Sequence, residues 1–206
     1  MAYIEYFYAA HSAYAYLGSK ALQNIAAAAG REIRHRPYDL RRGIAGVGSP
    51  DFKTRPQHHR AYYFGREMER WAEEREIPMI PAPRHHSNDI TLPNCLLIAA
   101  DNAGCDVDAL SHALLQAHWV DDADLADATT LATLAQNLKM DADDLLVRAT
   151  SEKVLAQYEA NTAEAVERSV FGSPTYFVDG DMFYGQDRLH MVERALKQPY
   201  KSTWRA

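Results

Sequence analysis

Tyr3-Ile4-Glu5-Tyr6-Phe7-Tyr8-Ala9-Ala10-His11-Ser12-Ala13-Tyr14-Ala15-Tyr16-Leu17-Gly18 is the stretch on which the fold turns. From Ala2 to Tyr8 the residues are rich in aromatic and β-branched types, over a length that suits a buried strand. Tyr14, Leu17, Ala21 and Ile25 then recur at spacings of three and four, the stripe of a helix that closes at Gly30. Ser12 stands between strand and helix. Serine is a favoured N-cap. A residue in that place also faces unpaired backbone N–H groups at the positive end of the helix dipole, where an anion is welcome. The cap is the simpler reading, and the opening stretch alone leaves the chemistry of Ser12 open.

The far end of the chain answers it. Val170-Phe171-Gly172-Ser173-Pro174 leads into Thr175-Tyr176-Phe177-Val178, an apolar strand that turns at Asp179-Gly180 and returns as Met182-Phe183-Tyr184. Asp-Gly between two such runs is a hairpin signal. A helix follows from Gln186-Asp187, with Leu189, Val192 and Leu196 as its stripe. Near the start, Glu32-Ile33-Arg34-His35-Arg36 reads as a second strand ending at Pro37, a parallel partner to the first through a right-handed helical crossover. Strand–helix–strand at one end and proline–hairpin–helix at the other is the layout of an α/β, thioredoxin-like fold with a large all-helical insertion. Residues 1–55 and 170–206 are expected to form the thioredoxin-like part, and residues 56–169 the helical subdomain.

Within the insertion a helix is expected from Gln57 to Arg75, with Phe64, Met68, Trp71 and Ala72 on one face. Asn94 suits the N-cap of the next helical run. Amphipathic stretches follow at 109–118, 128–138, 142–148 and 152–169, with Asp141 and Ser151 as caps. The segment from Asp39 to Arg55 reads as a loop, with Gly43, Gly46, Gly48 and Pro50. It carries Arg41, Arg42, Lys53 and Arg55, either as a solvated basic loop or as a rim for an anionic substrate.

Composition narrows the function. A formal charge of −6 disfavours non-specific nucleic-acid binding, and no apolar run approaches membrane-spanning length. The N-terminus begins directly with a strand, so the cytoplasm is the expected compartment. Only Cys95 and Cys105 occur, and not as C-x-x-C. The first strand–helix turn holds no sulfur, and without a thiolate there is no disulfide exchange.

The chain resembles the 2-hydroxychromene-2-carboxylate isomerases, within the group that joins DsbA-like oxidoreductases and kappa-class glutathione transferases. The resemblance rests on Tyr6-Phe7-Tyr8 through Leu17, on Tyr63 with Arg66-Glu67 and Arg70-Trp71, and on Phe171 to Thr175 with Gly185-Gln186-Asp187-Arg188. It implies a glutathione-dependent isomerase of aromatic (naphthalene-like) catabolism, without a metal and without a nucleic-acid partner, and a cytoplasmic homodimer acting on a small aromatic carboxylate. Ser12 matches the serine that hydrogen-bonds the glutathione sulfur, whose thiolate adds reversibly to the conjugated substrate. Ser173-Pro174 matches the cis-proline loop that pairs with the glutathione backbone. Gln186 and Asp187 match the pair that holds the γ-glutamyl end, and Arg60 stands where the family has a lysine. Ala9 and Ala13 stand where the family has an acid and a proline. A kappa-type transferase or peroxidase, or a non-catalytic glutathione-binding protein, is the alternative.

The histidines suggest no metal site. His58-His59 and His85-His86 are adjacent pairs without ligand spacing, and they read as surface or loop residues. His11, beside Ser12, is either a proton-transfer group in the turn or a ring pointing away.

Overall fold

The computed structural model describes residues 3–50 and 54–202. Ala2, Lys53 and the residues after 202 lie outside them. β1 (Tyr3–Tyr8), α1 (Ala13–Ala28) and β2 (Glu32–Pro37) form the expected crossover unit. The two strands are parallel, with Tyr3 opposite Glu32 and Tyr8 opposite Pro37. The α1 stripe is wider than its spacing suggests. Ala15, Tyr16, Leu17, Gly18, Ser19, Leu22 and Ala26 are buried, while Tyr14, Ala21 and Ile25 are half-buried, because the helix is packed on two sides.

The segment after Tyr38 departs from the expected loop. α2 (Leu40–Gly46) is a helix, capped by Asp39, whose carboxylate accepts from the N–H groups of Arg41 and Arg42 at 3.0 Å each. Its glycines are there for packing. A Cβ on Gly43 would lie 2.6 Å from the Tyr38 ring, and one on Gly46 would lie 2.5 Å from Val166. Close approach, not a turn, is what these glycines serve. Arg42 is committed to Glu159 through two contacts at 2.6 and 2.7 Å, and so takes no part in an open basic rim.

The helix expected over 57–75 is interrupted. α3 (Gln57–Ala61) passes through a π-turn at Tyr62–Arg66 into α4 (Glu67–Glu74). The wider turn shifts the phase, so Met68 is buried but Phe64 is exposed. α5 (Thr91–Asn102), α6 (Val107–Val120), α7 (Ala128–Asn137), α8 (Ala142–Ala149) and α9 (Glu152–Glu167) complete the helical part. Asp141 and Ser151 cap α8 and α9 by accepting from the N–H groups of Asp144 and Val154. Asn94 is not a cap. It lies inside α5, fully buried.

β3 (Thr175–Val178) and β4 (Asp181–Tyr184) form the antiparallel hairpin. Asp179 and Gly180 have φ of 50° and 89°, which a two-residue hairpin turn of this hand requires. A 3₁₀ turn at Gln186–Arg188 then feeds α10 (Leu189–Lys197). β3 lies antiparallel to β1, giving the sheet order β2-β1-β3-β4. This is a thioredoxin fold with its long helical segment inserted between β2 and β3. β1 is central, and its alternation serves two faces. Ile4, Tyr6 and Tyr8 enter the main core with α1, α5 and α6, while Phe7 packs with Tyr38, Ala165, Val170 and Phe177 on the other side. The Tyr8 hydroxyl bonds His35 Nδ1, and His35 Nε2 bonds Asp108 of α6, each at 2.9 Å. These contacts tie the helical part to the sheet.

Candidate functional site

The two ends of the chain meet at the turn after β1. Ser12 caps α1, its Oγ accepting from the Ala15 N–H at 3.3 Å. The same hydroxyl donates to the Ser173 carbonyl at 3.1 Å, and Ser173 Oγ accepts from the Ala9 N–H at 3.1 Å. Two helices of the insertion reinforce the turn. Asn94 Oδ1 of α5 accepts from the Ala10 N–H, and Trp119 Nε1 of α6 donates to the His11 carbonyl, both at 3.0 Å. Every one of these groups is buried, so the backbone of the turn is pinned from three directions.

The Ser173-Pro174 peptide is cis. Its loop is braced by the Gly172 carbonyl, which accepts from the Tyr38 hydroxyl at 3.0 Å and from Thr175 Oγ1 at 2.8 Å. A Cβ on residue 172 would lie 2.2 Å from the Tyr184 ring, so only glycine lets the loop settle there.

A cleft of about 160 Å³ opens beside this junction. Ser173, Gln186 and Asp187 line one side, and Tyr14, Tyr63 and Trp71 the other. Gln186 is 1% exposed, yet neither Oε1 nor Nε2 has a partner among the described residues. Buried amides are almost always satisfied in native proteins, so an unsatisfied one beside a cleft makes Gln186 a candidate binding residue. Gly18 makes room for it, since a Cβ there would come within 2.8 Å of Gln186 Cβ. Asp187 pairs with Arg188 at 2.6 Å, and Arg75 donates to the Gln186 carbonyl at 3.2 Å. Tyr14 donates to the Tyr63 carbonyl, and burial holds both phenols above their ordinary range. They therefore stay protonated donors at neutral pH.

The structure thus brings Ser12, Ser173 and Pro174 to one junction and sets Gln186 and Asp187 on the adjoining wall. Arg60 stands apart, exposed on α3, and does not line the cleft. Cys95 is buried in α5 with its thiol pushed up to about 11 by burial, and neither cysteine lies in the turn. Among the described residues no three His, Cys, Asp or Glu side chains are disposed to hold a metal ion. No described helix is long and apolar enough to cross a membrane.

One grouping was not legible in the sequence. His11 is buried, with its ring 4.8 Å from that of His86 and 6.3 Å from that of His118. His86, read as a loop histidine, is exposed as expected but also bonds His118 at 3.0 Å. The signal was hidden because the three rings come from segments 75 and 32 residues apart.

A family model described as a DSBA-like thioredoxin domain matches residues 3–197. A 2-hydroxychromene-2-carboxylate isomerase of Sphingobium xenophagum is 28% identical over 196 residues, spanning 94% of this chain and 97% of its own length. Among solved structures, a 2-hydroxychromene-2-carboxylate isomerase superposes with a TM-score of 0.81 at 24% identity, over 95% of this chain and 94% of that one. The cytosolic disulfide reductase DsbM of Pseudomonas aeruginosa, solved with GSH, gives a TM-score of 0.65 at 17% identity, over 95% and 93% of the two chains. These two structural likenesses speak for the fold.

Proposed function

The chain belongs to the DSBA-like thioredoxin domain family, and we propose that within this family it is a glutathione-dependent isomerase of the 2-hydroxychromene-2-carboxylate type. The similarity to a named isomerase over nearly the whole chain supports this reading. So does a turn that offers serine where a redox member would need cysteine. The observation that carries it is the Gln186 amide, buried at a cleft with both polar atoms unpartnered beside the Ser12–Ser173 junction.

The residues present fit glutathione. The Gln186 amide can donate and accept at once, and the Asp187 carboxylate would receive the γ-glutamyl ammonium. Ser173 offers backbone for strand-like pairing. At about 160 Å³ the cleft is smaller than the ~300 Å³ of a typical closed ligand pocket, so it suits one end of the tripeptide. Arg60 enters the proposal only as a positive charge on the exposed side of α3.

Bound glutathione would supply the nucleophilic thiolate that this chain lacks. Ser12 would turn its hydroxyl proton from the Ser173 carbonyl toward that sulfur, because an ionised acceptor makes the stronger hydrogen bond. The turn keeps Ser12 in place through Ala10, His11 and their partners on α5 and α6. Tyr14 and Tyr63, held protonated, close the cleft wall. A small aromatic carboxylate as substrate, a role in aromatic catabolism, a homodimer and a cytoplasmic setting belong to the same proposal.

The test is a substrate assay with 2-hydroxychromene-2-carboxylate and with chlorodinitrobenzene, each with and without glutathione. Isomerisation that requires glutathione is the expected result. Conjugation without isomerisation would point to a kappa-type transferase, and binding with neither activity to a non-catalytic glutathione-binding protein.

A further inference from the structure

Arg75 is the C-cap of α4, and its guanidinium reaches both walls of the cleft. Nη2 donates to the Gln186 carbonyl at 3.2 Å, and the guanidinium carbon lies 5.2 Å from the centre of the Trp71 ring. Gln186 belongs to the wall built from the thioredoxin-like part, and Trp71 to the wall built from the insertion. The Gln186 carbonyl also accepts from the Leu189 N–H, where α10 begins. Both of its lone pairs are thus taken, which fixes the plane of the Gln186–Asp187 peptide.

An arginine at a helix end is ordinarily solvated or paired with an acid. Arg75 is half-buried, makes no ion pair among the described residues, and keeps Nε buried without a partner there. Burial draws its pKa down. Asp187 and Glu74 oppose that shift, yet neither is paired with it, and Asp187 is engaged by Arg188 at 2.6 Å. A buried cation without an acid is a poor source of stability. Its choice of acceptor is the informative part. Gln186 Oε1 could serve a guanidinium as well, but Arg75 takes the main-chain oxygen. The side-chain amide therefore stays unclaimed at the cleft, with Oε1 and Nε2 both available.

We propose that Arg75 is a positioning residue of the cleft: from the end of α4 it holds the Gln186–Asp187 turn beside Trp71, at the spacing that receives the γ-glutamyl end of glutathione. The proposal rests on the glutathione reading of that cleft. Arg75 itself touches no ligand and acts through Gln186. A charged donor holds a carbonyl more firmly than a neutral one. The turn it braces is a 3₁₀ turn of three residues, anchored at its near end by the bond from the Gly185 N–H to the Pro174 carbonyl at 2.9 Å. Arg75 gives it a second anchor, from the helical insertion. A flat guanidinium can lie against Trp71 while it donates sideways, which a lysine ammonium does less well.

Glutathione and γ-glutamylcysteine, which lacks the glycine, are titrated calorimetrically into the unaltered protein, Arg75→Met and Arg75→Lys, and each protein is also melted alone. Arg75→Met keeps an unbranched chain against Trp71 and removes the unpaired cation, so its melting temperature without ligand should change little. Both ligands should bind it about tenfold more weakly, by the same factor, because the loss lies at the γ-glutamyl end they share. Arg75→Lys, which can still donate to the carbonyl, should bind with an affinity between the two. Unchanged affinity in Arg75→Met, whatever its melting temperature, or a smaller loss for γ-glutamylcysteine than for glutathione, would overturn the proposal. Amide hydrogen exchange without ligand is the second measure. The amides from Gln186 to Leu189 should exchange faster in Arg75→Met, with β1 and α1 unchanged, and equal exchange at the turn would also overturn it. Should the unaltered protein bind neither ligand, the glutathione reading falls, while faster exchange would still show that Arg75 holds the turn.

Discussion

The Ser12 hydroxyl and the Ser173 carbonyl are 3.1 Å apart, with Ser12 as donor. Oγ has a single proton, and its other contact, from the Ala15 N–H, uses a lone pair. The proton proposed to stabilise a thiolate is thus already employed, bridging the first and last thirds of the chain. Cap, staple and proposed thiolate donor are one group, and its variants must be read on all three levels.

Ser12→Ala removes the cap, for about 1 kcal/mol, and leaves the Ser173 carbonyl unpartnered, for about 1 kcal/mol or more. A charge-assisted bond to a thiolate is worth roughly 1.5–3 kcal/mol. Turnover at neutral pH should therefore fall by roughly one to two orders of magnitude, and partly recover as pH rises. Ultraviolet thiolate absorbance against pH, in both proteins with glutathione bound, reads the cause directly. An unmoved thiol titration with unchanged turnover would reduce Ser12 to a cap and staple.

Gln186→Met replaces an unsatisfied buried amide with an apolar chain of similar volume. Without ligand the variant should be more stable, by about 1 kcal/mol. With glutathione the order should reverse, because a ligand at ~100 times its Kd adds about 2.7 kcal/mol only to a protein that binds it. Melting curves with and without glutathione give both numbers. A variant that is destabilised alone, or fully stabilised by glutathione, would remove Gln186 from the proposed site.

Much of the fold was legible because its signals are local: the aromatic strand, the Asp179-Gly180 turn and the Asp141 and Ser151 caps each act within a few residues. Two readings failed, and one grouping stayed hidden, where distant contacts decide. Gly43 and Gly46 look like loop residues until Tyr38 and Val166 are seen packed against them. Asn94 looks like a cap until Ala10 is seen to need its acceptor. The His11–His86–His118 array carries no spacing that a sequence could show. Arg60 aligns with a binding position but stands on an exposed face.

The Cys95→Ala, Cys105→Ala double variant should keep its glutathione-dependent turnover. Burial keeps the Cys95 thiol protonated, and no cysteine reaches the turn. Some stability should be lost at Cys95, which is 1% exposed in the core. Abolished turnover in a still-folded double variant would mean that the nucleophile is internal.

Acid should weaken the fold through His112. Burial, with Lys20 nearby, brings this imidazole from 6.5 down to about 4. The unfolded chain therefore binds the proton more readily between those values. The contribution is fully present above about pH 6.5 and is lost as pH falls toward 4, with a slope no steeper than about 1.4 kcal/mol per pH unit. Its half-buried ring makes the true slope shallower. Thermal unfolding at stepwise lower pH should show a gentler decline for His112→Gln than for the unaltered protein, and parallel curves would reject the assignment.

Asn94 is the residue through which the helical part holds the turn. It is fully buried, its Oδ1 taking the Ala10 N–H at 3.0 Å and its Nδ2 reaching the Tyr158 hydroxyl at 3.3 Å. Asn94→Leu leaves both partners buried and unsatisfied, each for about 1–3 kcal/mol. Asn94→Ala is milder, since the vacated space offers water two polar partners. Because Ala10 lies two residues before Ser12, the loosened turn should also misplace the Ser12 hydroxyl. In Asn94→Ala, assayed well below its melting temperature, kcat should then drop while the glutathione Kd stays near that of the unaltered protein, as Gln186 and Asp187 lie on another element. A purely structural Asn94 would lower the melting temperature and leave kcat of the folded fraction intact. Kinetics corrected for the folded fraction separate the two, and only a loss in kcat would show that the insertion positions the serine as well as supporting the fold.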